Sequence, residues 1–197
     1  SLIEFSRILD DDFKNHETLR QTILNKIPKY GNDLDTADDL AGLITGWIAD
    51  ETDRLHTWRG SRVVPSLFCW IMHEQFGSRT GASPDGRPRG FPLGDGSGPA
   101  QGREHNGPTA SILSSTKWPH ERFIGGIAVN MKFSSRLFTD RSREKMIALI
   151  RTFMDRGGFE LQINVVDRAT LLKAKEHPEA YRDLVVRVGG YSDYFVR

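Results

Sequence analysis

Residues 157–167 read Gly157-Gly158-Phe159-Glu160-Leu161-Gln162-Ile163-Asn164-Val165-Val166-Asp167, and this stretch decides the fold class. Phe159, Leu161, Ile163 and Val165 alternate with Glu160, Gln162 and Asn164, the two-residue period of a β-strand. Helical periodicity flanks it on both sides. Upstream, a helix over Arg143–Arg156 places Met146, Leu149, Ile150, Phe153 and Met154 on one face and ends at Gly157-Gly158, where a left-handed C-cap costs glycine nothing. Downstream, Asp167 can cap a short helix through Leu171, Leu172 and Ala174, and Pro178 can sit in the first turn of another. Gly125-Gly126-Ile127-Ala128-Val129-Asn130-Met131 reads as a buried strand, and Leu184-Val185-Val186-Arg187-Val188 as a further one. Strands alternating with helices predict an α/β architecture with parallel strands, whose chemistry sits on the loops beyond the strand ends.

Toward the N-terminus, Leu40, Leu43, Ile44, Trp47 and Ile48 recur at helical spacing within Thr36–Leu55, and Thr36 with Asp39 resembles a capping box with Asp in place of Glu. A shorter helix is expected over His16–Lys26, ending before Pro28, and Lys29-Tyr30-Gly31-Asn32-Asp33 is then a loop. Between Gly77 and Gly107 fall nine of the 19 glycines and four of the nine prolines, so no regular element fits there. The stretch has neither charge runs nor simple repeats and is read as an ordered, backbone-rich loop.

Of the 197 residues, 27 are Lys or Arg and 26 Asp or Glu, which removes the basic excess of a nucleic-acid binder and the charge imbalance of a disordered chain. The single Cys cannot form an internal disulfide or a multi-Cys metal site, so a reducing compartment, the cytoplasm, is expected. No apolar run approaches the roughly 18 residues of a membrane span. The chain starts at Ser1 without Met, within a segment that reads as alternating, and stops at Arg197 inside an apolar run. Both ends read as cut, as in a piece of a larger protein.

Most candidate motifs are better explained by structure than by chemistry. Gly94-Asp95-Gly96-Ser97-Gly98 resembles a phosphate loop, but it follows no strand, Pro99 removes a donor, and no Gly-Lys-Ser/Thr ending is present. His73-Glu74 begins like a zinc-protease helix, yet Gly77 stands where the second His belongs. The six His are scattered without ligand spacing, and Ser66, Ser114 and Ser192 lack a nucleophile elbow. Cys69, within Ser66-Leu67-Phe68-Cys69-Trp70-Ile71-Met72, reads as a small buried hydrophobe. By composition alone, Arg187-Val188-Gly189-Gly190-Tyr191-Ser192 is a strand followed by a tight turn.

Taken in order, Gly81-Ala82-Ser83-Pro84-Asp85-Gly86-Arg87, Gly107-Pro108-Thr109-Ala110, Gln162-Ile163-Asn164-Val165, His177-Pro178-Glu179-Ala180-Tyr181 and Arg187-Val188-Gly189-Gly190-Tyr191-Ser192 resemble the C-terminal part of glycyl radical enzymes, the pyruvate formate-lyase-like family. Asp12-Phe13, Leu19-Arg20-Gln21 and Lys29-Tyr30-Gly31-Asn32-Asp33 extend the resemblance to the start, so it covers essentially the whole chain, 1–197. It implies an α/β fold forming the second half of a barrel of two parallel half-barrels, with residues 184–197 as a truncated radical strand and loop. It also implies that Gly190 carries a glycyl radical, supported by Arg187, Val188, Gly189, Tyr191 and Ser192.

Glycine suits that role. A Cα radical is stabilised when the carbon flattens and delocalises into both flanking peptide groups, and glycine has no side chain to oppose this. The resemblance further implies a separate radical S-adenosylmethionine activating enzyme as partner, a cysteine that receives the radical, the rest of the polypeptide, a small-molecule substrate and a homodimeric full enzyme. No nucleic acid, membrane or metal enters. In the family the thiyl cysteine lies on a finger loop well upstream of the first matched segment, whereas Cys69 follows the matched Asp12–Asp33 segments, so the role is not carried onto Cys69 and the chain alone is expected to be inactive. Gly107-Pro108-Thr109-Ala110 and Gly190-Tyr191-Ser192 favour the dehydratase and lyase branches. A formate C-acetyltransferase-type C–C lyase, a free-standing glycyl radical spare-part subunit and a non-catalytic α/β anion-binding domain remain as alternatives.

Overall fold

A computed structural model describes residues 1–69, 72–165, 167–188 and 191–194. Its centre is a β-α-β unit: β1 (Val129–Phe133), α6 (Asp140–Asp155) and β2 (Leu161–Val165), with the two strands parallel and Asn130 opposite Gln162 in register. The strand expected from Gly125 begins four residues later. Gly125 and Gly126 lie in the preceding turn, where Gly125 N–H donates to Pro65 O, and Ile127 makes an isolated parallel bridge with Leu67. The helix expected over Arg143–Arg156 starts earlier, and Gly157 follows it at φ +81°, the left-handed geometry its C-terminus called for.

The apolar face of the sheet carries Val129, Met131, Phe133, Leu161 and Ile163 and packs on Ile112 of α5 (Gly107–Ser115) and on Leu149 and Phe153 of α6. A second cluster joins Ala49, Trp118, Phe123 and Ile127. In β2, Leu161 and Ile163 face the core and the polar residues of the other face are covered as well. Phe159 and Val165 are about half exposed, whereas Gln162 and Asn164 are buried. The period of two was the correct signal, but both faces of this strand are covered.

The remaining pair departs from the parallel expectation. β3 (Val185–Val188) pairs antiparallel with β4 (Tyr191–Tyr194), because two residues between paired ends are too few for the crossover that parallel pairing needs. The result is a mixed α/β arrangement. Before it, Asp167 caps α7 (Arg168–Glu176) by accepting from Ala169 N–H, and Pro178–Tyr181 form a 3₁₀ turn.

At the N-terminus, Ser1–Phe5 is not an alternating segment. Ser1 caps α1 (Leu2–Asp10), with its Oγ accepting from Glu4 N–H in a reciprocal capping box. Next come α2 (Glu17–Lys26) and α3 (Asp35–Asp53). The capping box proposed at Thr36 and Asp39 does not form. The helix starts one residue earlier, Ala37 and Asp38 N–H donate to Leu34 O, and the nearby carboxylates turn to a lysine instead. The helical spacing in α3 is real, yet Leu40, Leu43, Ile44 and Trp47 are each more than half exposed, while Asp38, Thr45 and Ala49 face inward.

The Gly-rich stretch is entered through α4 (Met72–Ser78) and left at Gly107, the first residue of α5. Its backbone is tied down throughout. Gly86, at φ +93°, closes a turn on Ser83 O. Arg87 donates to the carbonyls of Gly81, Pro88 and Phe91. Ser97 donates to Ala128 O through N–H and Oγ, and a Cβ on Gly96 would collide with that carbonyl. The Gly94–Gly98 run is therefore a structural turn seated at the start of β1.

Asn32 joins the N-terminal helices to this stretch. Its Nδ2 donates to Lys29 O and Arg103 O, and its Oδ1 accepts from His105 and Asn106 N–H at 2.6 and 3.1 Å. Asn32→Ala removes all four bonds and strands buried groups, a loss of about 3 kcal/mol. We expect thermal unfolding to show Tm lower by about 9 °C; an unchanged Tm would mean that the hub does not hold the loop.

Candidate functional site

Sequence places the candidate radical residue between β3 and β4. Val188 is in register with Tyr191 and Arg187 with Ser192, so the proposed supporting positions line up across the antiparallel pair. Gly189 and Gly190, which separate the paired ends, lie outside the described residues. Positions 187, 188, 191 and 192 are thus brought together by backbone pairing.

Cys69 is partly buried, its Sγ donates to Gly94 O at 3.3 Å, and burial pushes its thiol up from the usual range. A thiol held protonated in this way has a structural role as a donor. His73 is buried near the start of α4. Among the described residues, no group of three or more His, Cys, Asp or Glu could hold a metal ion, and no helix is long and apolar enough to cross a membrane.

Sequence reasoning missed a charged cluster on the Lys29–Asp33 loop and α3. Lys117 Nζ lies 2.9 Å from Asp33, 2.8 Å from Asp35 and 2.8 Å from Asp38. Asp38 is fully buried, and its Oδ2 also accepts from Ser114 Oγ, which in turn accepts from Asp33 N–H. Burial works against the Lys117 charge, but the carboxylates of Asp35, Asp38 and Asp33 outweigh it and hold the ammonium well above its ordinary value. Tyr30, donating to Ser97 O, is pushed up to about 12 by burial. The sequence signal was present in the acidic spacing of Asp33, Asp35 and Asp38. Its distant lysine was not.

His120 ties α5 to the approach of β2. Its Nδ1 accepts from Phe159 N–H at 3.1 Å, so the ring proton is on Nε2, which donates to Ser115 O at 2.6 Å. Trp118 and Phe153 pack against the ring, with centroids 4.5 and 5.9 Å away. Burial lowers its pKa and favours the neutral ring.

The polar face of the parallel pair holds Asn130, Lys132, Gln162 and Asn164. Asn130 Nδ2 donates to Asp95 O at 3.3 Å. Asn130 Oδ1 and both amide atoms of Gln162 are buried without a hydrogen-bond partner. A cavity of about 500 Å³ opens beside Asn130 and Lys132, with Asp95, Glu104 and Ser111 on its wall. The alternation in Gln162-Ile163-Asn164 marked a strand, and only the tertiary structure shows that its polar face is covered.

This geometry can be set beside known proteins. The family model described as "Glycine radical" matches residues 93–196, and that described as "Pyruvate formate lyase-like" matches residues 1–77. The chain belongs to the glycyl radical enzyme family and corresponds to its C-terminal portion. It is 41% identical to a protein of Escherichia coli named "Probable dehydratase YbiW", covering 98% of this chain and 25% of that one. It is 36% identical to an isethionate sulfite-lyase of Bilophila wadsworthia, covering 95% of this chain and 23% of that one. The glycerol-bound B12-independent glycerol dehydratase from Clostridium butyricum superposes with a TM-score of 0.90 at 39% identity, covering 98% of this chain and 25% of that one. The chain spans about a quarter of the length of these relatives.

Protonation of His120 should couple to folding. Because its folded pKa lies below the ordinary value of 6.5, the unfolded chain takes up the proton first as pH falls. Stability is present above about pH 6.5 and is lost below it, by at most about 1.4 kcal/mol per pH unit from this group. Denaturant unfolding between pH 7.5 and 5.5 should show this loss, and His120→Gln should flatten it; equal slopes for the two proteins would contradict the assignment.

Proposed function

We propose that this chain is the radical-carrying C-terminal part of a glycyl radical dehydratase or lyase, with Gly190 storing the radical. The observation that carries the reading is Arg187-Val188-Gly189-Gly190-Tyr191-Ser192, at the end of a stretch matched from 93 to 196 by the glycine radical family. A radical S-adenosylmethionine activating enzyme removes one hydrogen atom from the Gly190 Cα. The glycyl radical then takes a hydrogen atom from a cysteine thiol, so an S–H bond breaks, a Cα–H bond forms and a thiyl remains to act on substrate. The protein thus supplies its own radical cofactor.

Cys69 does not take the thiyl role. Its thiol is committed to the Gly94 carbonyl, and in the family the thiyl cysteine lies well upstream of the segments matched at Asp12–Asp33, which Cys69 follows. The cysteine comes from the remaining polypeptide. The exposed stripe Leu40, Leu43, Ile44 and Trp47 is the kind of apolar surface that such a remainder covers. Elimination from a small polar substrate is favoured over C–C cleavage, since most of the similar proteins bear the names dehydratase or sulfite-lyase, while one, 36% identical over 90% of this chain, is named an indoleacetate decarboxylase.

Anaerobic incubation with the activating enzyme followed by electron paramagnetic resonance tests the assignment. A glycyl doublet is expected, and Gly190→Ala should abolish it; a doublet that survives the substitution places the radical elsewhere. Turnover should appear only with the complementing polypeptide that carries the cysteine.

A further inference from the structure

The β1–β2 pair has one face that is chemically complete and one that is not. Parallel strands are ordinarily apolar on both faces, since both are covered. Here Val129, Met131 and Phe133 fill one face, while Asn130 and Gln162 stand opposite each other on the other. Gln162 is 6% exposed, yet neither its Nε2 nor its Oε1 has a hydrogen-bond partner. Asn130 is oriented by its Nδ2 bond to Asp95 O, which leaves Oδ1 as the buried and unpartnered atom. Native structures rarely leave a buried amide unmatched, because it forfeits its bonds to water without replacement.

The unused groups are specific in kind. Two carbonyl oxygens and one NH₂ belong to register-paired residues of adjacent strands. An anion would meet the two oxygens and a cation would meet the NH₂, whereas a neutral group with one donor and one acceptor satisfies both. We propose that Gln162, with Asn130 beside it, is a binding or positioning pair for such a group, a hydroxyl or an amide, entering on the polar face of the sheet. A cavity of about 500 Å³ reaches Asn130 and Lys132 of that face, with Met131 and Phe133 also on its wall; Gln162 does not line it and joins it only through its register partner Asn130. Two sources share this chemistry: the hydroxyl of a small substrate and a peptide group of the polypeptide that completes the enzyme. The proposal rests on the functional reading above for its assay.

The test uses the full-length activated enzyme under anaerobic conditions. Glycerol, propane-1,2-diol, trans-4-hydroxy-L-proline and isethionate serve as probes, and the one turned over by wild type supplies KM. Gln162→Met keeps the volume and removes both hydrogen-bonding atoms. If the partner is a substrate hydroxyl, KM should rise at least tenfold, with the radical signal and Tm unchanged. If it is the enzyme's own peptide group, Tm should fall or the variant should fail to fold, since the amide was then satisfied in the complete protein. A Gln162→Met enzyme with unchanged KM and kcat and an equal or higher Tm overturns the proposal, because removing a truly orphaned amide is neutral or stabilising. The wild-type doublet and turnover, measured alongside, test the functional reading itself and keep its failure distinct from that of Gln162.

Discussion

Asn32 is 5% exposed, and its side chain holds four backbone groups drawn from its own loop and from the stretch at 103–106. Asn106 Nδ2 returns a bond to Asn32 O, so the contact is reciprocal. It adds to the bonds from Tyr30 to Ser97 O and from Asp33 N–H to Ser114 Oγ, by which the same loop holds the Gly-rich stretch and α5. Gly31 makes the approach feasible. It adopts φ +95°, and a Cβ there would drive into the ring of Pro99. One loop residue therefore converts a segment with little regular structure into a fixed surface on which α5 and the parallel pair rest.

The charged cluster works beside that attachment. Lys117 gathers three carboxylates, and Asp38 among them is removed from solvent entirely. A buried carboxylate is costly unless paired and hydrogen-bonded, and Asp38 receives both the ammonium and the Ser114 hydroxyl. This arrangement explains why α3 dispenses with a side-chain cap. Its acidic residues neutralise a lysine that follows α5 and so tie the start of α3 to the end of α5.

The sheet shows a similar division between local pattern and global placement. Periodicity in Phe159–Val165, the Gly157 stop and the Asp167 cap were all legible, because each depends on neighbours within a few residues. Which face of β2 is buried was not, because covering both faces depends on segments far away in sequence. The same holds for α3, whose stripe at Leu40, Leu43, Ile44 and Trp47 marked the helix correctly without revealing that its inward face is the one with Asp38, Thr45 and Ala49. At the N-terminus the opposite error arose. Ser1 and Glu4 carried a legible capping box that three alternating side chains obscured.

By itself the sequence determined the family, through ordered motifs that end in Arg187-Val188-Gly189-Gly190-Tyr191-Ser192, and it determined most helices and strands through local periodicity and caps. Tertiary structure decided the antiparallel closure of β3 on β4, the meeting of Lys117 with Asp33, Asp35 and Asp38, and the burial of Gln162 opposite Asn130. The physical reason is range. Backbone geometry and side-chain period act between near neighbours, whereas desolvation of a charge or an amide depends on everything the folded chain brings against it.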